Sequence, residues 1–92
     1  MQSLKLFYLE NCPYCKNAKR AVVTLTQENA KYAEIPIEWI EESQNATLAE
    51  QFDYYYVPTV FMNGRKLYEC SPSEGYEEIR AQIKGAFDAA LR

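Results

Sequence analysis

The apolar run Leu4-Lys5-Leu6-Phe7-Tyr8-Leu9 is too short for a helix and reads as a buried central strand. It breaks at Glu10-Asn11-Cys12, and Pro13 then suits the first position of a helix, where a missing N–H costs nothing. Cys15, Ala18, Val22 and Leu25 follow at the spacing of one buried helix face, with Lys16, Lys19 and Arg20 off that stripe, until the helix fades near Asn29. Ala33, Ile35, Ile37 and Trp39 alternate with Glu34, Pro36 and Glu38, which is strand periodicity. Pro36 cannot donate to a ladder, so this strand belongs at an edge. A polar turn, Glu41 to Ala46, leads to Thr47-Leu48-Ala49-Glu50, the capping-box pattern of a short helix ending near Tyr54 with Leu48 and Phe52 on one side. Thr59-Val60-Phe61-Met62 reads as a strand, Asn63-Gly64 signals a two-residue hairpin, and Arg65 to Cys70 returns as its partner. Ser71, Pro72 and Glu74 offer the cap, first-position proline and third-position acid of a last helix. That helix buries Tyr76, Ile79, Ile83, Ala86 or Phe87, and Ala90.

The order is therefore β-α-β-α-β-β-α, an α/β arrangement. Its β-α-β start requires a parallel strand pair with a right-handed crossover, and its late hairpin adds antiparallel strands. No repeat, low-complexity tract or Gly/Ser linker interrupts the sequence, so residues 1–92 read as a single domain. Apolar residues at 48% suffice for a modest core. A net charge of −3, with the charges interspersed, argues against nucleic acid, whose phosphates need clustered Lys and Arg. No apolar run approaches the roughly 20 residues of a membrane span, and Met1-Gln2-Ser3-Leu4-Lys5 lacks the marks of a signal peptide. A cytoplasmic monomer without membrane or nucleic-acid partners is expected.

Composition then narrows the chemistry through an absence. With a histidine count of 0, the chain has no Ser–His or Cys–His pair, no imidazole proton shuttle and no imidazole metal ligand. Three cysteines remain, an odd number that makes no disulfide framework in a reducing compartment. Two of them form Cys12-Pro13-Tyr14-Cys15 at the predicted helix start, one turn apart and within disulfide reach. Unsatisfied N–H groups and the positive end of the helix dipole favour thiolate over thiol at Cys12. Pro13 shapes that helix start, Lys16 and Lys19 add positive charge, and Glu10 opposes it. Thiolate is the species that attacks disulfides, so Cys12 is the candidate nucleophile and Cys15, on the buried stripe, the candidate resolving thiol. Structural zinc needs four ligands, and Cys70 brings the sulfurs only to three, so no metal site is expected. A pair of merely buried small residues would not explain Pro13 between them at a helix start.

Cys12-Pro13-Tyr14-Cys15 after a short first strand, with Tyr56-Val57-Pro58 ahead of the third, resembles the glutaredoxins over almost the whole chain. The resemblance implies a thioredoxin-like fold, a four-stranded mixed sheet flanked by helices, with the first strand central and the second at an edge. It implies a cis Pro58 facing the cysteines and a Val57 backbone that pairs with an extended substrate segment. It implies a dithiol–disulfide oxidoreductase that reduces protein or glutathione mixed disulfides and needs no cofactor. The sequence departs from the family where glutathione is held. Leu9 stands where a Lys or Arg usually holds a glutathione carboxylate, and Tyr68-Glu69-Cys70-Ser71 where two glycines and an acidic residue are usual. Tyr14 and the Val57 backbone remain, with Ser71 and the start of the last helix as a carboxylate site. Glutathione is then a weak partner, and a flavoprotein disulfide reductase is the competing electron donor. The strand Leu4 to Leu9 also lacks the buried Asp of thioredoxins. The other function class open to these cysteines is an iron–sulfur or soft-metal carrier between two chains. Pro13 counts against it, because cluster-binding relatives usually lack that proline.

Other features have bland explanations. Of Tyr54, Tyr55 and Tyr56, at least two rings are expected to pack into the core, the alternative being a ring that borders the active-site groove. Tyr14, between two cysteines, is expected to line that groove. Cys70 reads as a buried small residue, with regulatory oxidation as the alternative. Trp39 is expected half-buried on a solvated acidic strand end, and Glu77-Glu78 in the first turn of the last helix.

Overall fold

A computed structural model describes residues 1–92. Strand β1 (Leu4–Tyr8) occupies the sheet centre because it is apolar on both faces, with Leu4 and Leu6 buried on one side and Phe7 on the other. Helix α1 (Pro13–Glu28) starts at Cys12 as its N-cap and buries the expected stripe of Cys15, Ala18, Val22 and Leu25, together with Ala21. Strands β2 (Ile37–Glu41), β3 (Thr59–Met62) and β4 (Arg65–Glu69) complete a sheet of order β2-β1-β3-β4. The β1–β2 pair is parallel, with Leu6 opposite Trp39, and the β1–β3 and β3–β4 pairs are antiparallel. Strand β2 is the edge that Pro36 called for, and Asn63 (φ 53°) and Gly64 (φ 80°) make the left-handed turn of the β3–β4 hairpin. Trp39 is half-buried and meets Tyr8 edge-on.

Helices α1 and α4 (Tyr76–Leu91) cover one face of the sheet, packing with Leu4, Leu6, Val60 and Tyr68 into the main core. The other face carries a smaller core of Phe7, Ile40, Ala49 and Phe61, with Phe52 and Tyr54 packed at a tilt against Phe7 at ring-centroid distances of 4.9 and 5.0 Å. No helix is long and apolar enough to cross a membrane.

Three element boundaries differ from the sequence expectation. Residues Ala30–Ala33 form a helical turn, α2, rather than the start of a strand. Asn29 ends α1 and restarts the chain, because its Oδ1 accepts the Lys31 N–H at 3.0 Å, and the ladder begins only after Pro36, which has no N–H to give. Helix α3 (Ala46–Ala49) starts one residue before Thr47 and stops well short of Tyr54. Its N-cap is Asn45, whose side chain instead donates to the Glu41 carbonyl at 2.9 Å and ties the helix to the end of β2. Helix α4 begins four residues later than Ser71 and Pro72 suggested, at Tyr76, after an N-cap at Gly75 whose N–H donates to Glu78 Oε1 at 2.8 Å. Ser71 to Glu74 forms a separate turn, closed by Ser71 N–H to Glu74 Oε2 at 2.7 Å. Ser73, at φ 77°, lies in the left-handed region, so the chain cannot run on as a helix from there.

Candidate active site

Cys12 and Cys15 sit where the chain leaves the central strand and enters α1, and the two sulfurs have unlike surroundings. Cys12 is half-buried at the N-cap, where its Sγ accepts the Cys15 N–H at 3.4 Å. Cys15 is 1% exposed, and its Sγ accepts the Leu9 N–H at 3.4 Å. Burial pushes the Cys15 thiol up to about 12, with the adjacent Cys12 sulfur adding to the rise and the Leu9 N–H offsetting part of it.

The Val57–Pro58 peptide is cis, as the resemblance implied, and the Val57 carbonyl oxygen lies 3.8 Å from Cys12 Sγ. Pro58 is fully buried, and its own carbonyl accepts the Cys70 N–H at 3.0 Å, which fixes this loop to the end of β4. Buried Thr59 adds a second tie, its Oγ1 donating to the Tyr68 carbonyl at 2.7 Å.

Tyr14 is half-buried against the main core, and its hydroxyl accepts the Ser73 N–H at 2.9 Å. It therefore bridges the start of α1 to the turn before α4. Ser71 is exposed, but its N–H is already taken by Glu74, whose other oxygen accepts the Tyr68 hydroxyl at 2.8 Å. The expected carboxylate site at Ser71 is thus separated from the start of α4 and filled by a carboxylate of the chain itself. Pro13 occupies the first turn of α1. Lys16 is exposed, while the Lys19 ammonium sits over the Tyr8 ring at 4.3 Å and approaches Glu10 at 3.9 Å.

Of the three consecutive tyrosines only Tyr54 packs inward, its hydroxyl donating to Glu42 Oε1 at 2.7 Å. Tyr55 and Tyr56 are exposed, so the expectation of two buried rings fails. Cys70 is 2% exposed, and burial raises its thiol above the ordinary value. No three Cys, Asp or Glu side chains converge as a metal-ligand group.

Two carboxylates hold the segments that lead to Cys12 and Val57, a part the sequence did not show: Glu41 stood in a polar turn, and Glu69 read only as a charge able to repel glutathione. Glu41 Oε2 accepts the Glu10 N–H at 3.0 Å, and its Oε1 accepts the Ser43 hydroxyl at 2.6 Å. The Ser43 hydrogen bond, more than any other contact, holds the Glu41 carboxyl below its ordinary range. Glu69 Oε2 accepts the N–H groups of both Tyr55 and Tyr56, at 2.7 and 2.8 Å, while Oε1 pairs with Lys66 at 2.7 Å. Burial works against the Glu69 anion, but Lys66 and the two N–H groups together hold its carboxyl below the ordinary range. In the sequence, the one available signal was an acid at Glu69 where the family usually has a small residue.

Comparison with known proteins agrees with this arrangement. The glutaredoxin family model matches residues 4–67, from β1 through the cysteine pair and the cis-proline to the middle of β4. The chain belongs to the glutaredoxin family. Among solved structures it is similar to thioredoxin 1 from Thermosipho africanus, at 18% identity and a TM-score of 0.60, over 98% of this chain and 99% of that one. It is also similar to the oxidised thioredoxin of Plasmodium falciparum, at 15% identity and a TM-score of 0.64, over 95% of this chain and 78% of that one. At these identities the likeness establishes the thioredoxin-like fold. No curated protein sequence matches the chain. Family and fold together point to a thiol–disulfide oxidoreductase.

Proposed function

We propose that the protein reduces disulfides of protein substrates through a Cys12/Cys15 dithiol, with Cys12 as nucleophile and Cys15 as resolving thiol. The observation that carries this reading is the asymmetry of the pair: Cys12 is half-buried at a helix N-cap with an N–H on its sulfur, and Cys15 is enclosed and held as a thiol. The Cys12 thiolate attacks one sulfur of the substrate disulfide, forming a mixed disulfide and releasing the first substrate thiolate, which takes up a proton. Cys15 then attacks the Cys12 sulfur, forming the Cys12–Cys15 disulfide and expelling the second substrate thiolate, which takes up the proton that Cys15 gives up. Two electrons have passed from the dithiol to the substrate, and an external reductant restores the pair. Val57 and the cis Pro58 form the wall against which an extended substrate segment lies by strand addition, with Tyr14 closing the α4 side.

The reductant is a flavoprotein disulfide reductase in preference to glutathione. Leu9 supplies no cation for a ligand carboxylate, and the Ser71 N–H is occupied by Glu74. Each missing charge-assisted contact is worth roughly 1.5–3 kcal/mol, a factor on the order of 10 to 100 in binding. The working state is a monomer in the cytoplasm. The deciding experiment compares Cys12→Ser and Cys15→Ser on an insulin-type protein disulfide. Cys12→Ser should abolish exchange, and Cys15→Ser should form the mixed disulfide and fail to release it. Equal behaviour of the two variants would contradict the assigned roles.

A further inference from the structure

Tyr55 is 88% exposed and Tyr56 53% exposed, whereas the other tyrosines of the chain are buried or half-buried. This exposure is not slackness in the loop. Both backbone N–H groups are held by Glu69, and Lys66 spans from the same carboxylate to the Asp53 carbonyl at 3.1 Å. The loop is thus fixed at both ends of the tyrosine pair, with the rings outside. The next residue is Val57, whose carbonyl faces Cys12 Sγ. Two aromatic rings are therefore displayed on a rigid segment that leads directly to the proposed nucleophile.

We propose that Tyr55 and Tyr56 form a ledge, set by Glu69, that binds the extended polypeptide segment beside a substrate disulfide. The proposal rests on the oxidoreductase reading above and names the substrate class of that same site. An extended chain advances about 3.3 Å per residue, so a segment laid along Val57 passes Tyr56 and Tyr55 within its next few residues. A small disulfide seated at Cys12 ends before it reaches them. Tyrosine suits such a surface because it gives a large contact area with little side-chain entropy to lose, and a loop already fixed by Glu69 and Lys66 has little left to order. The partner's charge follows from the groove between Leu9–Cys12 and Glu41–Gln44, whose lining carries the carboxylates of Glu10 and Glu41 and no Lys or Arg, with Lys19 approaching Glu10 at 3.9 Å and no cation paired with Glu41. A segment with basic flanks is complementary to it.

The test is single-turnover oxidation of reduced protein by two substrates, a lysine-flanked peptide disulfide and the small uncharged bis(2-hydroxyethyl) disulfide. Acid quenching and alkylation of the remaining thiols read the rate, and no electron donor is needed. The quantity compared is the ratio of the two second-order rate constants, peptide over small disulfide. It should fall about threefold in Tyr55→Ser and about tenfold in Tyr55→Ser/Tyr56→Ser. Glu69→Gln keeps the size but turns an amide toward Lys66, and should also lower the ratio about tenfold. In each case the loss should appear in the peptide concentration for half-maximal rate. Tyr55→Ser removes an exposed ring and keeps the test open if the other variants fold poorly. A ratio within twofold of wild type throughout, or a loss confined to the limiting rate, overturns the ledge and leaves the oxidoreductase reading standing. A wild-type protein oxidised by neither substrate overturns both.

Discussion

Replacing Cys12 with serine leaves Cys15 as the last thiol of the pair, and its reactivity then reports directly on its surroundings. Burial, with Cys15 1% exposed, is the largest cause of its raised pKa and survives the substitution. With Cys12 in place, a pKa of about 12 against 9.0 lowers the thiolate fraction at neutral pH about a thousandfold, and loss of the Cys12 sulfur takes back the part of that rise it causes. Higher basicity returns part of this, because a Brønsted slope of about 0.4–0.5 makes the remaining thiolate about 15- to 30-fold more nucleophilic. The net expectation from the pKa is alkylation up to about 30- to 60-fold slower than that of a free cysteine, and restricted access slows it further. The assay labels Cys12→Ser with iodoacetamide at pH 7, beside a cysteine-containing reference peptide in the same tube, and reads each site by peptide mass spectrometry. Wild-type protein in parallel should label first at Cys12. A Cys15 rate in the variant within about fivefold of the reference peptide would refute the assignment of Cys15 as a thiol silenced by burial.

Phe7→Ala removes the fully buried ring that joins Phe52, Tyr54 and Phe61, and should cost about 3–5 kcal/mol in urea unfolding; a loss under 1.5 kcal/mol would mean the small core is not continuous. Cys15, Cys70, Tyr54 and Tyr68 all have pKa values raised chiefly by burial, so the folded state keeps protons that the unfolded chain releases. Their contribution is intact below the ordinary thiol value of 9.0 and is lost as pH rises above it, so the urea midpoint should fall between pH 9 and 11, and a flat profile would contradict the burial. Leu9→Lys should raise the glutathione-dependent turnover about 10-fold by supplying a carboxylate partner, and unchanged turnover would count against the subtractive account of weak glutathione use.

The parts of this fold set by local chemistry were legible in the sequence. Pro13 and the Cys15–Leu25 stripe mark α1, Asn63-Gly64 the hairpin, and Pro36 the edge strand. The misread boundaries are places where one local signal serves two structures. Glu74 reaches back to the Ser71 N–H as the acid of a capping box does, yet Ser73 turns left-handed and the bond closes a turn instead. Asn29 ends one helix and caps the next turn, so alternation that begins at Ala33 is helical for its first residue and ladder only from Ile37. The cysteine pair was legible because its spacing and its helix start are both local. The tyrosine loop was not, because its pose depends on Glu69 on another strand, and nothing near Tyr55 in sequence announces that partner.

Three carboxylates of the chain itself take backbone N–H groups in the segments that lead to the cysteines, the cis-proline and the last helix: Glu41 that of Glu10, Glu69 those of Tyr55 and Tyr56, and Glu74 that of Ser71. Each bond fixes a segment beside the cysteines, and each also removes a donor that a ligand carboxylate would otherwise use. An anionic small thiol arriving here must displace one of these internal carboxylates, at roughly 1.5–3 kcal/mol for a charge-assisted bond, or bind without a partner. It also meets Leu9 in place of a cation and the charges of Glu10 and Glu41 in the adjoining groove. A polypeptide escapes this competition, because it binds by its own backbone groups along Val57 and by side-chain contact beyond them. Under the proposed function, the same hydrogen bonds that stiffen the site thus select against glutathione and in favour of protein disulfides, with no dedicated excluding residue required.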